Sequence, residues 1–170
     1  MIRREFIQSS SLAALGTSLI GNSRSWAGAN DRIRVAIIGM GGRGGDHMMT
    51  VSKFEGVEVA AIADPDLRRI REWGAKLDES FGNKAAQYQD LRKIVDDRSI
   101  DAVIIASCNH WHSLAAIWAM QSGKHAYVEK PVSHNIFEGR KMVEAARKYN
   151  RICQGGTQRR SSGLFRKAVQ

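Results

Sequence analysis

Short apolar runs alternate along this chain with longer stretches of helical periodicity. Ile33-Arg34-Val35-Ala36-Ile37-Ile38 ends in glycines and predicts a buried strand. Residues 57–63 form a second such run, closed by Asp64, and residues 101–106 a third. Residues 125–128 and 151–154 are shorter candidates. Between the runs, Leu67, Ile70, Gly74, Leu77 and Phe81 recur at helical spacing. So do Trp111, Leu114, Ala115, Trp118 and Ala119, then Met142, Ala145, Ala146 and Tyr149. Strands alternating with helices build βαβ units, so the expected fold class is α/β, a doubly wound parallel sheet of five or six strands. Trp111 and Trp118 lie on the apolar stripe and are read as core.

At 170 residues, with 43% hydrophobic and 25% charged positions, the composition is that of an ordinary globular domain. Disordered, collagen-like and coiled-coil chains are excluded. No apolar run approaches the ~18 residues of a spanning helix, so no transmembrane segment is expected. Two cysteines, Cys108 and Cys153, cannot form a disulfide scaffold and lack zinc-site spacing. They are read as free thiols, and no metal is expected. The net charge of +9 raises nucleic acid as a partner, but the excess sits at the two ends: +2 in residues 1–29, zero in 30–132 and +7 in 133–170. The basic tail has no interleaved exposed aromatics and no recognisable module, so no nucleic-acid partner is expected.

Residues 1–29 read as an export signal. Arg3-Arg4-Glu5-Phe6-Ile7 precedes a mildly apolar stretch, residues 12–20, and Ala27-Gly28-Ala29 offers a small-x-small cleavage pattern. The opening resembles the twin-arginine (Tat) signal, although Ile2 and Gln8 replace its usual flanking residues. The alternative is an amphipathic first helix, which Ser9-Ser10-Ser11 and Gly16 disfavour. Tat signals direct export of folded proteins, so the implied partner is the Tat machinery and the implied location is the periplasm.

Gly39-Met40-Gly41-Gly42-Arg43-Gly44 contains G-x-G-x-x-G directly after the strongest strand and before a helix expected at about 46–54. Gly39 permits the tight turn, Gly41 lets a pyrophosphate approach the backbone, and Gly44 lets helix and strand pack closely. The helix start offers free N–H groups and a partial positive charge. Asp64 follows the second strand, 20 residues beyond Gly44, where a carboxylate can accept the ribose hydroxyls. Its charge repels a 2′-phosphate, so NAD is expected over NADP, although Arg68, Arg69 and Arg71 stand nearby. The alternative is a glycine-rich turn with a strand-end Asp capping the next helix. Strand, loop, helix and acid in register favour the dinucleotide, and with it a Rossmann fold.

Two further strand ends carry unusual chemistry: Ser107-Cys108-Asn109-His110-Trp111-His112 and Glu129-Lys130-Pro131. Ligands of such sheets bind beyond the carboxyl ends of the strands. His110 and His112 could equally be polar residues at a helix start. Lys130 must be solvated or paired, and Glu129 is its nearest candidate partner.

Together these segments resemble the glucose–fructose oxidoreductase / inositol dehydrogenase / MocA (Gfo/Idh/MocA) family. The carrying motifs are the glycine-rich loop, Ala61-Ile62-Ala63-Asp64-Pro65, Ser107 to His112 and Glu129-Lys130-Pro131. Ser107 and Cys108 depart from the family's Thr-Pro. The resemblance implies an NAD(P)-binding Rossmann domain over 30–155 and the start of a second, α/β substrate domain over 156–170, most of which this chain lacks. It implies cofactor contacts from Gly39, Met40, Gly41, Gly42, Arg43, Gly44, Asp64, Ser107, Cys108, Asn109, His112, Glu129, Lys130 and Pro131, and from Gln158 and Arg159 at the crossover. It implies Lys130 and His112 as catalytic residues, a sugar, cyclitol or glycoside substrate, and a homo-oligomeric full-length protein.

Export of a folded protein into a compartment without free NAD implies tightly held, internally recycled cofactor. Two routes satisfy that: sugar-to-sugar oxidoreduction, and glycoside hydrolysis by oxidation, elimination, water addition and re-reduction. A non-catalytic NAD-binding module is the remaining alternative, and Lys130 argues against it.

Overall fold

The computed structural model describes residues 32–169; the expected export signal at residues 1–29 lies outside the described residues. Val35, Ala36, Ile37 and Ile38 are all buried, which requires apolar cover on both faces of the strand. That strand, β1 (Ile33–Ile38), is central in a six-stranded sheet. The others are β2 (Val57–Ala63), β3 (Ala86–Tyr88), β4 (Ala102–Ile105), β5 (His125–Glu129) and β6 (Cys153–Gly156). Their order is β3-β2-β1-β4-β5-β6, and every pairing is parallel. This is the expected doubly wound Rossmann sheet. The order reverses between β1 and β4, and a cleft opens beyond the carboxyl ends at such a switch.

The helices are α1 (Gly42–Val51), α2 (Leu67–Phe81), α3 (Arg92–Asp96), α4 (Asn109–Gln121), α5 (Ile136–Lys148) and α6 (Gly163–Val169), with a short 3-10 turn at Gln158–Ser161. Strand alternation divides the core. Val35 and Ile37 pack with Met48, Ile70 and Leu77 on one face, while Ala36 and Ile38 pack with Ala115, Ala119 and Met142 on the other. In β2 the pairing slips by one residue, from Val35 against Val59 to Ala36 against Ala61. Ala60 is the extra residue of this bulge, so Val59 and Ile62 still share a face.

Helix ends follow local chemistry. Asp66 caps α2 by accepting from the Arg68 backbone N–H at 2.9 Å, and Gly82, at φ +63°, ends it. Asn135 caps α5 through the Glu138 N–H at 2.9 Å, and the Glu138 carboxylate reaches back to the His134 N–H at 3.2 Å.

Three features differ from the sequence expectation. Helix α1 begins at Gly42, four residues before Asp46, because the glycine run is itself helical. Strand β3 is three residues of mostly exposed, polar character and leaves no apolar run to detect. Trp111 is 40% exposed, and it and Trp118 line the cleft instead of the core, because Ala115, Ala116 and Ala119 take the sheet-facing side of α4. Both cysteines are free thiols: Cys108 is exposed just before α4, and Cys153 is half-buried in β6. Burial pushes the Cys153 thiol up.

Candidate functional site

The turn after β1 is shaped by two glycines. Gly39 has φ +92°, and a Cβ there would lie 2.5 Å from the Ser107 backbone N. A Cβ on Gly44 would lie 1.8 Å from the Gly39 carbonyl oxygen. The first turn of α1 can therefore press directly against β1 and β4 only as glycine. Gly41 stands at the cap position without a capping side chain, and the first turn carries no acidic residue. Its N–H groups and dipole are left for an anion. Gly42 is open: nothing lies within 4 Å of an added Cβ. Met40, a candidate contact, is completely buried, and its N–H is taken by Asp64.

Asp64 locks this turn. Its Oδ2 accepts from the Met40 N–H at 2.7 Å and its Oδ1 from the Asp66 N–H at 2.8 Å. Each carboxylate oxygen has a second lone-pair site, so the group retains capacity for a diol at the cleft. The Arg69 guanidinium stands 4.0 Å from Oδ2 and lies over Gly41. Gly39, Gly41, Asp64, Ser107 and Cys108 line one cleft of about 890 Å³. Its outer wall is Leu91, with Asp90 and Arg92, whose side chains pair at 2.6 Å. This wall follows β3 and had no signal in the hydrophobic pattern. The Ser107 hydroxyl is buried without a hydrogen-bond partner. Asn109 is the exposed first residue of α4.

His112 is 1% exposed. Its Nδ1 faces the Pro131 carbonyl at 2.7 Å and its Nε2 the Ser107 carbonyl at 2.9 Å. It therefore braces the loops after β4 and β5 against each other, with neither ring nitrogen turned to the cleft.

Lys130 is exposed just beyond β5. Its nearest candidate side-chain partner, Glu129, is engaged elsewhere. Glu129, 4% exposed, accepts from Arg43 Nε at 2.9 Å and lies 2.8 Å from His47 Nε2, and it meets Lys130 through the backbone N–H at 3.1 Å. Burial pushes the Glu129 carboxyl up, but the hydrogen bonds from Arg43, His47 and Lys130 outweigh it and hold the group below its ordinary range. The same pairing raises the Arg43 guanidinium further. With its amide oxygen turned toward Arg43, Gln158 accepts from Nη2 at 2.8 Å. Arg159 lies in the same 3-10 turn. Sequence reasoning named Arg43, Glu129 and Gln158 separately; it missed that they meet, and it missed His47. Among the described residues no cluster suits a metal ion and no helix is long and apolar enough to cross a membrane.

The family described as "Oxidoreductase family, NAD-binding Rossmann fold" matches residues 33–157. A glycosyl hydrolase family 109 protein of Solibacter usitatus is 31% identical over 167 residues, which is 89% of this chain and 37% of that protein. Myo-inositol 2-dehydrogenase of Thermotoga maritima is 30% identical over 135 residues, 79% of this chain and 39% of that protein. The crystal structure of myo-inositol 2-dehydrogenase from Lactobacillus plantarum superposes with a TM-score of 0.71 at 29% identity, covering 81% of this chain and 40% of that one. The chain thus spans about two-fifths of the length of these relatives. By the family match, the sheet order and the glycine-rich turn, this chain belongs to the Gfo/Idh/MocA oxidoreductases through their NAD-binding Rossmann fold.

Proposed function

We propose that the protein carrying this domain is an exported NAD-dependent oxidoreductase that acts on a sugar, cyclitol or glycoside and holds its cofactor through each turnover. The observation that carries the reading is one cleft at the β1/β4 switch that joins an uncapped glycine-rich helix start to Asp64, with Lys130 at the next strand end. The residues present fit the dinucleotide. Gly42 leaves its surface open, the Arg69 guanidinium over Gly41 adds a cation, the helix N-terminus suits a pyrophosphate, and Asp64 suits a ribose diol. Bound NAD supplies the hydride chemistry. Asp64 favours NAD over NADP, and Arg69 and Arg92 temper that preference.

Lys130 is assigned the proton: as the free amine, its Nζ accepts a hydrogen bond from the reacting hydroxyl and then takes its proton, becoming the ammonium. His112 holds the loops that carry Ser107 and Pro131 against each other, and so steadies the segment that bears Lys130. The relatives' names support a cyclitol or glycoside as substrate. The glycosyl hydrolase relative favours a second reading of the same site, glycoside hydrolysis with no net redox change.

The experiment uses the full-length protein purified from a Tat-competent host. It is assayed on inositols and N-acetylhexosaminides, and the supernatant of a denatured sample is assayed for nicotinamide cofactor. Lys130→Met is expected to lower turnover by ~10²-fold or more with cofactor binding nearly intact. Equal losses in both would reduce Lys130 to a structural residue. Substoichiometric cofactor, with activity that depends on added NAD, would overturn the recycling.

A further inference from the structure

Arg43 serves two parts of the molecule at once. Its backbone belongs to the first turn of α1, the phosphate-binding end of the cleft. Its guanidinium reaches the far strands, to Glu129 at the end of β5 and to Gln158 just past β6. The Gln158 amide nitrogen in turn donates to the Gly156 carbonyl at 2.8 Å. His47, on the same helix, adds a second contact to the same Glu129 oxygen and sets its ring edge-on to Tyr127, with centroids 5.2 Å apart. The other Glu129 oxygen holds the Lys130 backbone N–H. One buried carboxylate thus gathers groups from the phosphate turn, from α1 and from the segment that bears Lys130.

We propose that Glu129 is a positioning residue, a buried strut through which occupation of the phosphate turn sets the placement of Lys130. The inference rests on the functional reading above for the cleft's ligand and for the role of Lys130. Its physical basis is that a desolvated carboxylate is costly unless its donors stay in place. A diphosphate seated on the N–H groups of Gly42 and Arg43 also attracts the half-exposed Arg43 guanidinium, so Arg43 Nε shifts while the backbone of the turn stays in place. Glu129 must follow or lose this donor, and the Lys130 backbone is tied to Glu129. An apolar pair of the same shape could hold the two segments together, but it would not link their movements through a shared charge.

The test uses the 170-residue chain, its amide NMR spectrum, and ADP and AMP as probes. ADP carries the adenosine and diphosphate but ends short of the nicotinamide; AMP lacks the second phosphate. In the wild type, ADP is expected to shift the amides of Gly41, Gly42 and Arg43 and also that of Lys130, whereas AMP leaves Lys130 in place. In Glu129→Gln the turn amides still respond to ADP and the Lys130 response is lost. Arg43→Met cuts the strut at its other end, should abolish the same response, and serves if Glu129→Gln does not fold. A Lys130 response that persists in either folded variant would show direct contact and overturn the strut. So would an unmoved Lys130 amide in wild type whose turn amides shift. If no turn amide responds to ADP, the dinucleotide reading falls, and the strut with it.

Discussion

Gly44→Ala tests the glycine-rich turn at its tightest point. The added methyl would lie 1.8 Å from the Gly39 carbonyl oxygen and 3.6 Å from Ile37 Cγ2. Relief requires the turn to retreat by more than an ångström, and the turn has little freedom to do so. Gly39 is itself backed against Ser107, and Met40 is tied to Asp64 at 2.7 Å. Overpacking of this kind costs ~1–3 kcal/mol, so a domain of this size should melt ~4–10 °C lower. Misaiming N–H groups that bond a charged pyrophosphate should forfeit ~1.5–3 kcal/mol and so weaken NAD ~10–10²-fold. Gly42→Ala is the matched control, since nothing lies within 4 Å of its added methyl. Replacing a helical glycine there should leave stability unchanged or raise it by ~0.5–1 kcal/mol. Thermal melts and calorimetric NAD titrations of both variants decide the matter. If Gly44→Ala melts and binds like Gly42→Ala, the close approach is not what the turn depends on.

The proposed preference for NAD rests on opposed charges around Asp64, with the Arg69 guanidinium 4.0 Å from its Oδ2. Calorimetry should show NAD bound more tightly than NADP; Asp64→Asn should narrow the gap and Arg69→Ala should widen it, and equal wild-type affinities would remove Asp64 as the discriminator. Cys108 lines the cleft and is exposed, whereas burial raises the Cys153 thiol, so alkylation should mark Cys108 first and NAD should slow it severalfold. Unchanged labelling with saturating NAD would place the cofactor elsewhere. Lys124 is 2% exposed, and burial lowers its pKa from 10.5 despite Asp97, Asp96 and Asp101. The folded state then holds fewer protons than the unfolded one between the depressed value and 10.5, so stability rises with pH through that window. Urea denaturation across it should show a rise that Lys124→Met lacks, and identical slopes would refute the assignment.

Most of the sheet was legible because its strands are buried on both faces. The runs at Ile33–Ile38 and Val57–Ala63 coincide with β1 and β2 to the residue. Where the structure is exposed or short, that signal fails. Ala86–Tyr88 is held at the sheet edge by backbone pairing to Ala61, Ile62 and Ala63, and its side chains report nothing. The Trp111 and Trp118 stripe misled for a related reason: alanines fit the narrow space under α4, so the large rings are displaced toward the cleft. At the site, residues adjacent in sequence could be read from motif spacing. The Arg43–Glu129 contact spans 86 positions, and no local pattern encodes a pairing made only when β5 is laid two strands from β1.

That long-range pairing divides the carboxyl edge of the sheet into two regimes. On the β1–β3 side the turn is fixed chiefly by sterics, glycines packed against backbone, to which Asp64 adds hydrogen bonds from N–H groups at 2.7 and 2.8 Å. Sterics are insensitive to ionic conditions and hold the cleft open whether or not it is filled. On the β5–β6 side the order rests on a buried charge with Arg43, His47 and the Lys130 backbone around it. Such a cluster adds little net stability over an apolar equivalent but is sharply destabilised when one partner moves. A rigid cradle beside a charge-tied strand end is an arrangement in which binding is set at one place and its consequence is registered at the other. Substitutions in the first region should therefore change cofactor affinity, and those in the second the placement of Lys130 once the cofactor is bound.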